Sequence, residues 1–226
     1  MKAVLFDMDG VLVDVSESYR RAVKQTAETF LEVDISLETI QGYKNRGGLN
    51  NDWDLTEAII TDHGLTIPKE TIIEVFQRFY LGNDFDGLIH MERWLAEKDV
   101  LSTIGRGFKT GIVTGRPREE AIYTLKRFGT EHFFQVVFTM DDVPPGKGKP
   151  DPLGIQLALR ELGVSEGWYI GDSIDDMTAA IKAGLIPIGI VNEAIGYEEQ
   201  AQRLREYGGA MVVPNINSRL FACLRG

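Results

Sequence analysis

The chain lacks the features that mark several large protein classes. It has one cysteine, Cys223, in 226 residues. No disulfide can form within it, which suits a reducing compartment. Its three histidines, His63, His90 and His132, are scattered, and none makes a metal-binding pattern with a neighbour. No apolar run approaches the roughly 18 residues that a membrane-spanning helix needs. The first apolar run follows a single lysine and breaks at Asp7, which is not the pattern of a secretory signal. Positive charge is also scarce: 24 Lys and Arg stand against 34 Asp and Glu, for a formal net charge of -10. Such a surface repels phosphate backbones, so neither nucleic acid nor an anionic membrane is an expected partner. A small anionic substrate stays open, because a local site can be electropositive inside an acidic protein. The expectation is a soluble cytoplasmic protein, a monomer or small homo-oligomer.

What is present is short apolar runs that end in turn or polar residues. They fall at residues 3–6, 111–114, 133–139, 168–171 and 186–191, with a weaker one at 210–213. Runs without alternation imply strands covered on both faces, as in a parallel sheet. Helical stretches lie between them. "REEAIYTLKRFG" sets Ala121, Leu125 and Phe128 on one face and stops at Gly129; "DPLGIQLALRELG" stops at Gly163 and "DDMTAAIKAG" at Gly184. Alternating strand and helix imply an α/β fold with a mostly parallel sheet and right-handed crossovers. Residues 15–86 break that rhythm and carry no convincing strand. They read as helices at 16–31, 37–43, 52–63 and 69–81, inserted after the first strand. The expected division is a core of residues 1–14 and 87–226 and a helical insert of 15–86, with the turn-rich "GNDFDGL" as the return hinge. The length suits one core domain with such an insertion.

In an open parallel sheet, ligands bind beyond the carboxyl ends of the strands. The first strand ends in Asp7-Met8-Asp9-Gly10, the second in Thr114-Gly115-Arg116, and the fourth in Gly171-Asp172-Ser173 with Asp175 and Asp176 beyond. The loop after the third strand is "PPGKGKPDP". Carboxylates gathered at one edge repel unless a counter-ion joins them. Oxygen donors without His or Cys point to Mg²⁺ rather than Zn²⁺. A lysine and a threonine hydroxyl beside such a metal suggest a bound anion, and the set together suggests phosphoryl transfer. One of the paired acids can be both nucleophile and metal ligand, since Asp forms a covalent aspartyl-phosphate. The other, two residues on, can serve the leaving group as acid and then base. Gly10 lets the backbone pass close to the phosphate and turn away.

The set "DMDGVLVD", "VTGR", "KGKPDP" and "GDSIDDMTAA", in this order, resembles the haloacid dehalogenase (HAD) superfamily. The helical insertion after the first motif resembles the subfamily I, type C1 cap of phosphoglycolate-phosphatase-like members. The resemblance implies a Rossmann-like core and an inserted all-helical cap. It implies Asp7 as nucleophile, Asp9 as acid/base, and Thr114 and the Gly115 amide as phosphate ligands. Lys149 would neutralise charge, and Mg²⁺ would be held by Asp7, the Asp9 carbonyl and Asp172. Asp176 would stand behind the metal or reach it through water. The expected activity is Mg²⁺-dependent hydrolysis of a small phosphorylated metabolite. Asp9 separates the chain from dehalogenases and phosphonate-cleaving members, which lack that acid. Sugar-phosphate mutases typically carry a His twelve residues after the nucleophile, where this chain has Tyr19. A phosphomutase is the alternative enzyme, and a non-catalytic phospholigand-binding protein the alternative from another class.

Each residue has a plainer reading beside the functional one. Asp7 and Asp9 alone could end a strand and a turn, and Lys147 competes with Lys149. Asp175 reads as a solvated acid or a helix N-terminal one, favourable there for dipole reasons alone. In "NRGGLNNDWD", Asn51 or Asp52 could simply cap the next helix; alternatively Arg46, Asn50, Asn51 and Trp53 read the substrate. "GKGK" is no P-loop, lacking the upstream glycine and a Ser or Thr after the lysine. "GRGFKTG" precedes a strand and is no dinucleotide fingerprint. Cys223 reads as core of an amphipathic C-terminal helix with Leu220, Phe221 and Leu224.

Overall fold

The computed structural model describes residues 1–44, 46, 49, 51–191, 196–218 and 224. In chain order its strands are β1 (Ala3–Phe6), β2 (Val13–Asp14), β3 (Arg93–Trp94), β4 (Lys109–Val113), β5 (Val136–Phe138), β6 (Gly167–Gly171), β7 (Ile186–Ile190) and β8 (Met211–Val213). Its α-helices are α1 (Tyr19–Leu31), α2 (Leu37–Lys44), α3 (Asp52–Asp62), α4 (Lys69–Tyr80), α5 (Lys98–Gly107), α6 (Arg118–Phe128), α7 (Leu153–Leu162), α8 (Ile174–Lys182) and α9 (Tyr197–Glu206). The chain divides into two compact units, one of Met1–Val13 with Trp94–Gly226 and one of Asp14–Arg93.

The first unit is built on a six-stranded sheet in the order β5-β4-β1-β6-β7-β8. Every adjacent pair in it is parallel. All four residues of β1 are buried, which is why the run needs no polar alternation: helices cover both faces. Leu5, Val113, Val136, Ile155, Ala158, Tyr169 and Ala180 belong to one continuous core. At roughly 1.5–3 kcal/mol for each large side chain fully buried, this core is the main favourable term in the unit's folding. The helix stops follow the backbone chemistry of the sequence. Gly129 and Gly163 take left-handed conformations, φ 62° and 67°, at the ends of α6 and α7. The order also sets the location of chemistry. β1 has β4 on one side and β6 on the other, so the chain switches sides around it, and the crevice beyond the carboxyl ends of these three strands is where a ligand fits.

The second unit is helical. α1 buries Tyr19, Ala22, Val23, Thr26 and Ala27, an i, i+3, i+4, i+7 stripe. The Tyr19 and Tyr80 rings stack at 4.2 Å, and Phe76 packs against both. The expected return hinge at 82–88 lies inside this unit. Ile89 is fully buried, and the buried Glu92 accepts hydrogen bonds from the Tyr80 hydroxyl at 2.8 Å and Ser18 Oγ at 3.2 Å. Those contacts keep the chain on the helical unit as far as Arg93. Helices α5 and α9 and the two-residue pair β2–β3 were not among the elements expected from the sequence. The expected C-terminal helix through Leu220, Phe221 and Cys223 lies outside the described residues. Among the described residues no helix is long and apolar enough to cross a membrane.

Candidate active site

The end of β1 is shaped by its neighbours. Asp7 N–H donates to Ile170 O at 2.8 Å, extending the ladder with β6 by one step and holding the Asp7 side chain at the sheet edge. The chain then folds back on itself, with Gly10 N–H donating to Val13 O and Leu12 N–H to Met8 O. Gly10 has φ 71°, and a Cβ built there would lie 2.0 Å from Asp172 Oδ2. The glycine is therefore required twice, once by the backbone conformation and once by the carboxylate that occupies the space of its missing side chain.

Asp7, Asp172 and Asp176 each offer an oxygen within 4.8 Å of the others. At that separation two unit charges repel by roughly 3–4 kcal/mol at an effective dielectric constant of about 20. Lys149 relieves part of this. Its Nζ lies 2.8 Å from Asp7 Oδ1 and 2.6 Å from Asp176 Oδ1, and it donates to the Tyr169 hydroxyl at 3.1 Å. That hydroxyl donates in turn to Val113 O at 2.7 Å. Burial would discharge the Lys149 ammonium, but Asp176 and Asp7 outweigh it and hold the group firmly protonated. Burial also pushes the Asp7 carboxyl well above the ordinary range. Lys149 opposes the rise, and the charges of Asp176, Asp9 and Asp172 add to it.

With all three carboxylates ionised, one ammonium would leave this group two negative charges in excess, and the raised Asp7 carboxyl is the response to that excess where no cation offsets it. Asp7 Oδ1 is buried and has no hydrogen-bond donor among the described residues; Lys149 approaches it as an ion pair, not as an aligned hydrogen bond. An all-oxygen donor set with that excess, and with a buried Asp7 oxygen met only by an ion pair, fits a hard divalent cation such as Mg²⁺. Asp7 and Asp172 are the residues able to hold it. Asp176 is already committed. Its Oδ2 accepts from Ser173 Oγ at 2.7 Å, Ser173 N at 3.0 Å and Asp172 N at 3.2 Å, and its Oδ1 faces Lys149. It fixes the backbone of Asp172 and the head of Lys149 together.

β4 contributes the other side. Thr114 is buried, its N–H bonded to Phe138 O at 2.9 Å and its Oγ1 accepting from Arg116 N at 3.2 Å. Gly115 is exposed, with open space where a side chain would be. Of the two lysines in the loop between β5 and α7, Lys147 pairs with Asp151 at 3.0 Å and is 55 % exposed, so only Lys149 enters the cluster. Sequence reasoning gave Arg116 no role. Its guanidinium is buried and grips Asp9 Oδ1 through Nε, at 2.7 Å, and Nη2. The visible signal was a cation directly after the strand-end "TG". Tyr169 went unread because it looks like strand filler. Asp175, expected to be a solvated or helix N-terminal acid, stands in the first turn of α8 and is buried there.

Of the expected substrate-reading residues, Arg46 and Asn51 are engaged within the helical unit. Asn51 Oδ1 accepts from Trp53 N at 2.9 Å and Asp54 N at 3.2 Å, capping α3. The exposed Arg46 pairs with Asp62 at 3.2 Å and lies over the Tyr43 ring. Asn50 lies outside the described residues.

Residues 1–184 match the family model of haloacid dehalogenase-like hydrolases. A protein of Phytophthora nicotianae named imidazoleglycerol-phosphate dehydratase is 38% identical over 202 residues, covering 84% of this chain and 43% of that protein. The chain thus spans less than half the length of this relative. The pyrophosphatase PpaX of Bacillus pumilus is 29% identical, covering 88% of this chain and 87% of that one. Among solved structures, the phosphatase Tt82 from Thermococcus thioreducens has a TM-score of 0.66 at 26% identity and covers 99% of both chains. With its acids and threonine at the ends of β1, β4 and β6, its lysine in the loop that follows β5, and the match running from the first residue through α8, the chain belongs to the haloacid dehalogenase-like hydrolases.

Proposed function

We propose that the chain is a Mg²⁺-dependent phosphatase that hydrolyses a small phosphate monoester through an aspartyl-phosphate. The observation that carries the reading is the buried cluster in which Lys149 bridges Asp7 and Asp176 beside Asp172. Its double negative excess suits a divalent cation, and the ammonium suits a phosphate brought against an anionic nucleophile. Mg²⁺, held by Asp7 and Asp172, would supply charge neutralisation and polarise the phosphoryl oxygens.

The chain's own residues do the rest. An Asp7 oxygen forms a bond to phosphorus in line with the ester oxygen, whose bond to phosphorus breaks. Asp9 gives its proton to that leaving oxygen. Lys149 offsets the charge gathered on Asp7 and the phosphoryl group, and Thr114 Oγ1 and the Gly115 amide orient it. Asp9, now a carboxylate, takes a proton from water. The water oxygen bonds to phosphorus, the Asp7–phosphorus bond breaks, and inorganic phosphate and free Asp7 are restored. The helical unit of residues 14–93 serves as the cap that excludes water from the first half of the cycle.

For the leaving group, two classes head the panel. The name of the 38% identical relative supplies imidazole-bearing alcohol phosphates, and the name of the 29% identical one supplies pyrophosphate. A phosphomutase is the second reading. It would return an isomerised phosphate ester with no free phosphate, and Tyr19 in place of a histidine weighs against it. The test is phosphate release from these two classes, phosphoglycolate, sugar phosphates and nucleotides, in Mg²⁺ and in EDTA, with wild type and Asp7→Asn. Release that needs Mg²⁺ and vanishes in the variant supports the reading. A folded Asp7→Asn chain that still turns over would falsify the nucleophile assignment.

A further inference from the structure

Arg116 is among the largest side chains in the protein that are fully buried. Taking a guanidinium out of water is costly unless it is paired and hydrogen-bonded on several sides. It is so held here. Nε and Nη2 both converge on Asp9 Oδ1. Nη1 donates to the buried Thr124 Oγ1 on α6 at 3.0 Å. Its backbone is fixed too, with N–H donating to Thr114 Oγ1 at 3.2 Å and the carbonyl accepting from Met140 N–H at 3.1 Å. The arginine is clamped at both ends, and its fork points at one oxygen of one carboxylate. That carboxylate sits on a tight turn, 107 residues away in sequence, and its side chain is 30 % exposed. The fork is what holds it against a buried, immobile partner.

We infer that Arg116 is a positioning residue for Asp9, fixing the carboxylate that passes a proton to and from the reacting oxygens. This rests on the phosphatase reading above. A proton donor acts only within about 2.6–3.2 Å of the atom that receives the proton, and a planar two-pronged fork fixes a carboxylate as an ammonium cannot. The consequence is selective. Leaving groups that need a proton feel the loss of position; those that depart as stable anions do not.

The experiment measures kcat/KM, which reports the steps through aspartyl-phosphate formation. The substrates are a simple alkyl phosphate such as glycerol 3-phosphate, and 4-nitrophenyl phosphate, whose leaving group departs unprotonated. Arg116→Met should cost about 10²-fold on the alkyl ester, the lower end of what general acid catalysis supplies, and less than roughly fivefold on the aryl ester. Arg116→Lys, which keeps the charge and loses the fork, should show the same selectivity to a smaller degree. Thr124→Val releases the far end of the guanidinium and should do likewise, so the question is answered even if Arg116→Met fails to fold. Equal losses on both esters, or none, in variants that melt as folded proteins would overturn the positioning role and leave the phosphatase reading intact. A wild-type chain that releases phosphate from neither ester would overturn both.

Discussion

Substituting Gly10 by alanine separates two costs that the structure superimposes at that position. The first is conformational. A non-glycine residue at φ 71° costs roughly 1–2 kcal/mol, which in a protein of this size lowers Tm by about 2–8 °C. The second is steric and falls on the site. The new Cβ would lie 2.0 Å from Asp172 Oδ2, where ordinary contact begins at 3.4 Å, so the carboxylate must retreat by roughly 1.4 Å. A displacement of about 1 Å in a catalytic constellation can cost 10²-fold in rate. Gly163→Ala is the control: φ is 67° there and nothing lies within 4 Å of the added methyl. Both variants should lose similar stability by thermal melting. Only Gly10→Ala should lose about 10²-fold or more in phosphate release, and its Mg²⁺ titration should move to higher concentration. If the two variants keep the same rate and the same Mg²⁺ midpoint, Asp172 is not held where the site needs it and the reasoning fails.

Other expectations follow from the same contacts. Lys149→Met leaves Asp7 and Asp176 buried without their shared cation; breaking such a pair costs about 3–5 kcal/mol, so Tm should fall by at least about 6 °C, and further in EDTA than in Mg²⁺. A variant melting like the wild type in EDTA would show that the charge is balanced elsewhere. Asn51→Ala removes the α3 cap and should cost about 1 kcal/mol in a denaturant titration, with KM changing equally for every ester; a rise confined to one natural ester would restore a substrate-reading role. Asp14 sits between Ser16 and Arg93. Burial alone would raise its carboxyl, but those hydrogen bonds outweigh it and hold it below the ordinary 3.8. The stability it adds is therefore present above about pH 4 and is lost as pH falls through the depressed value. Melts of Asp14→Asn against wild type should differ most near pH 5–6 and converge toward pH 3; a gap that widens on acidification would refute the sign.

The strand ends were legible because a parallel sheet buried on both faces writes itself as unbroken apolar runs, and each run stops where the chemistry starts. Asp7 after Phe6 and Asp172 after Gly171 announce themselves by ending such runs. The helical unit was legible from its periodicity, but its far edge was not. Ile89 and Glu92 stay with it through packing and a bond to Tyr80, and no local pattern around them says so. The Arg116–Asp9 pair was invisible for the same reason, since a sequence shows each charge but not which carboxylate, over a hundred positions away, receives it. Asn51 was legible as a choice between two roles, and the structure shows the cap: its Oδ1 accepts from both Trp53 N and Asp54 N.

Asp176 shows why some site residues resist assignment from sequence at all. Read alone, "GDSIDD" offers three acids to one metal. In the fold, β6 must end in glycine because a Cβ at position 171 would lie 2.3 Å from Asp176 Cβ. Ser173 caps α8, its Oγ accepting from Asp176 N at 3.1 Å while the Asp176 side chain bonds back to Ser173 N. That capping box turns Asp176 inward, spends one of its oxygens on the helix terminus and leaves the other for Lys149 at 2.6 Å. A residue that closes a helix end is thereby the one that locks the lysine against Asp7. Asp176→Asn keeps most of the cap acceptor but halves the charge that holds Lys149. It should therefore lose rate, and lose less stability than Lys149→Met, because Lys149 keeps Asp7 as a partner; paired measurements of kcat and Tm on the two variants decide it.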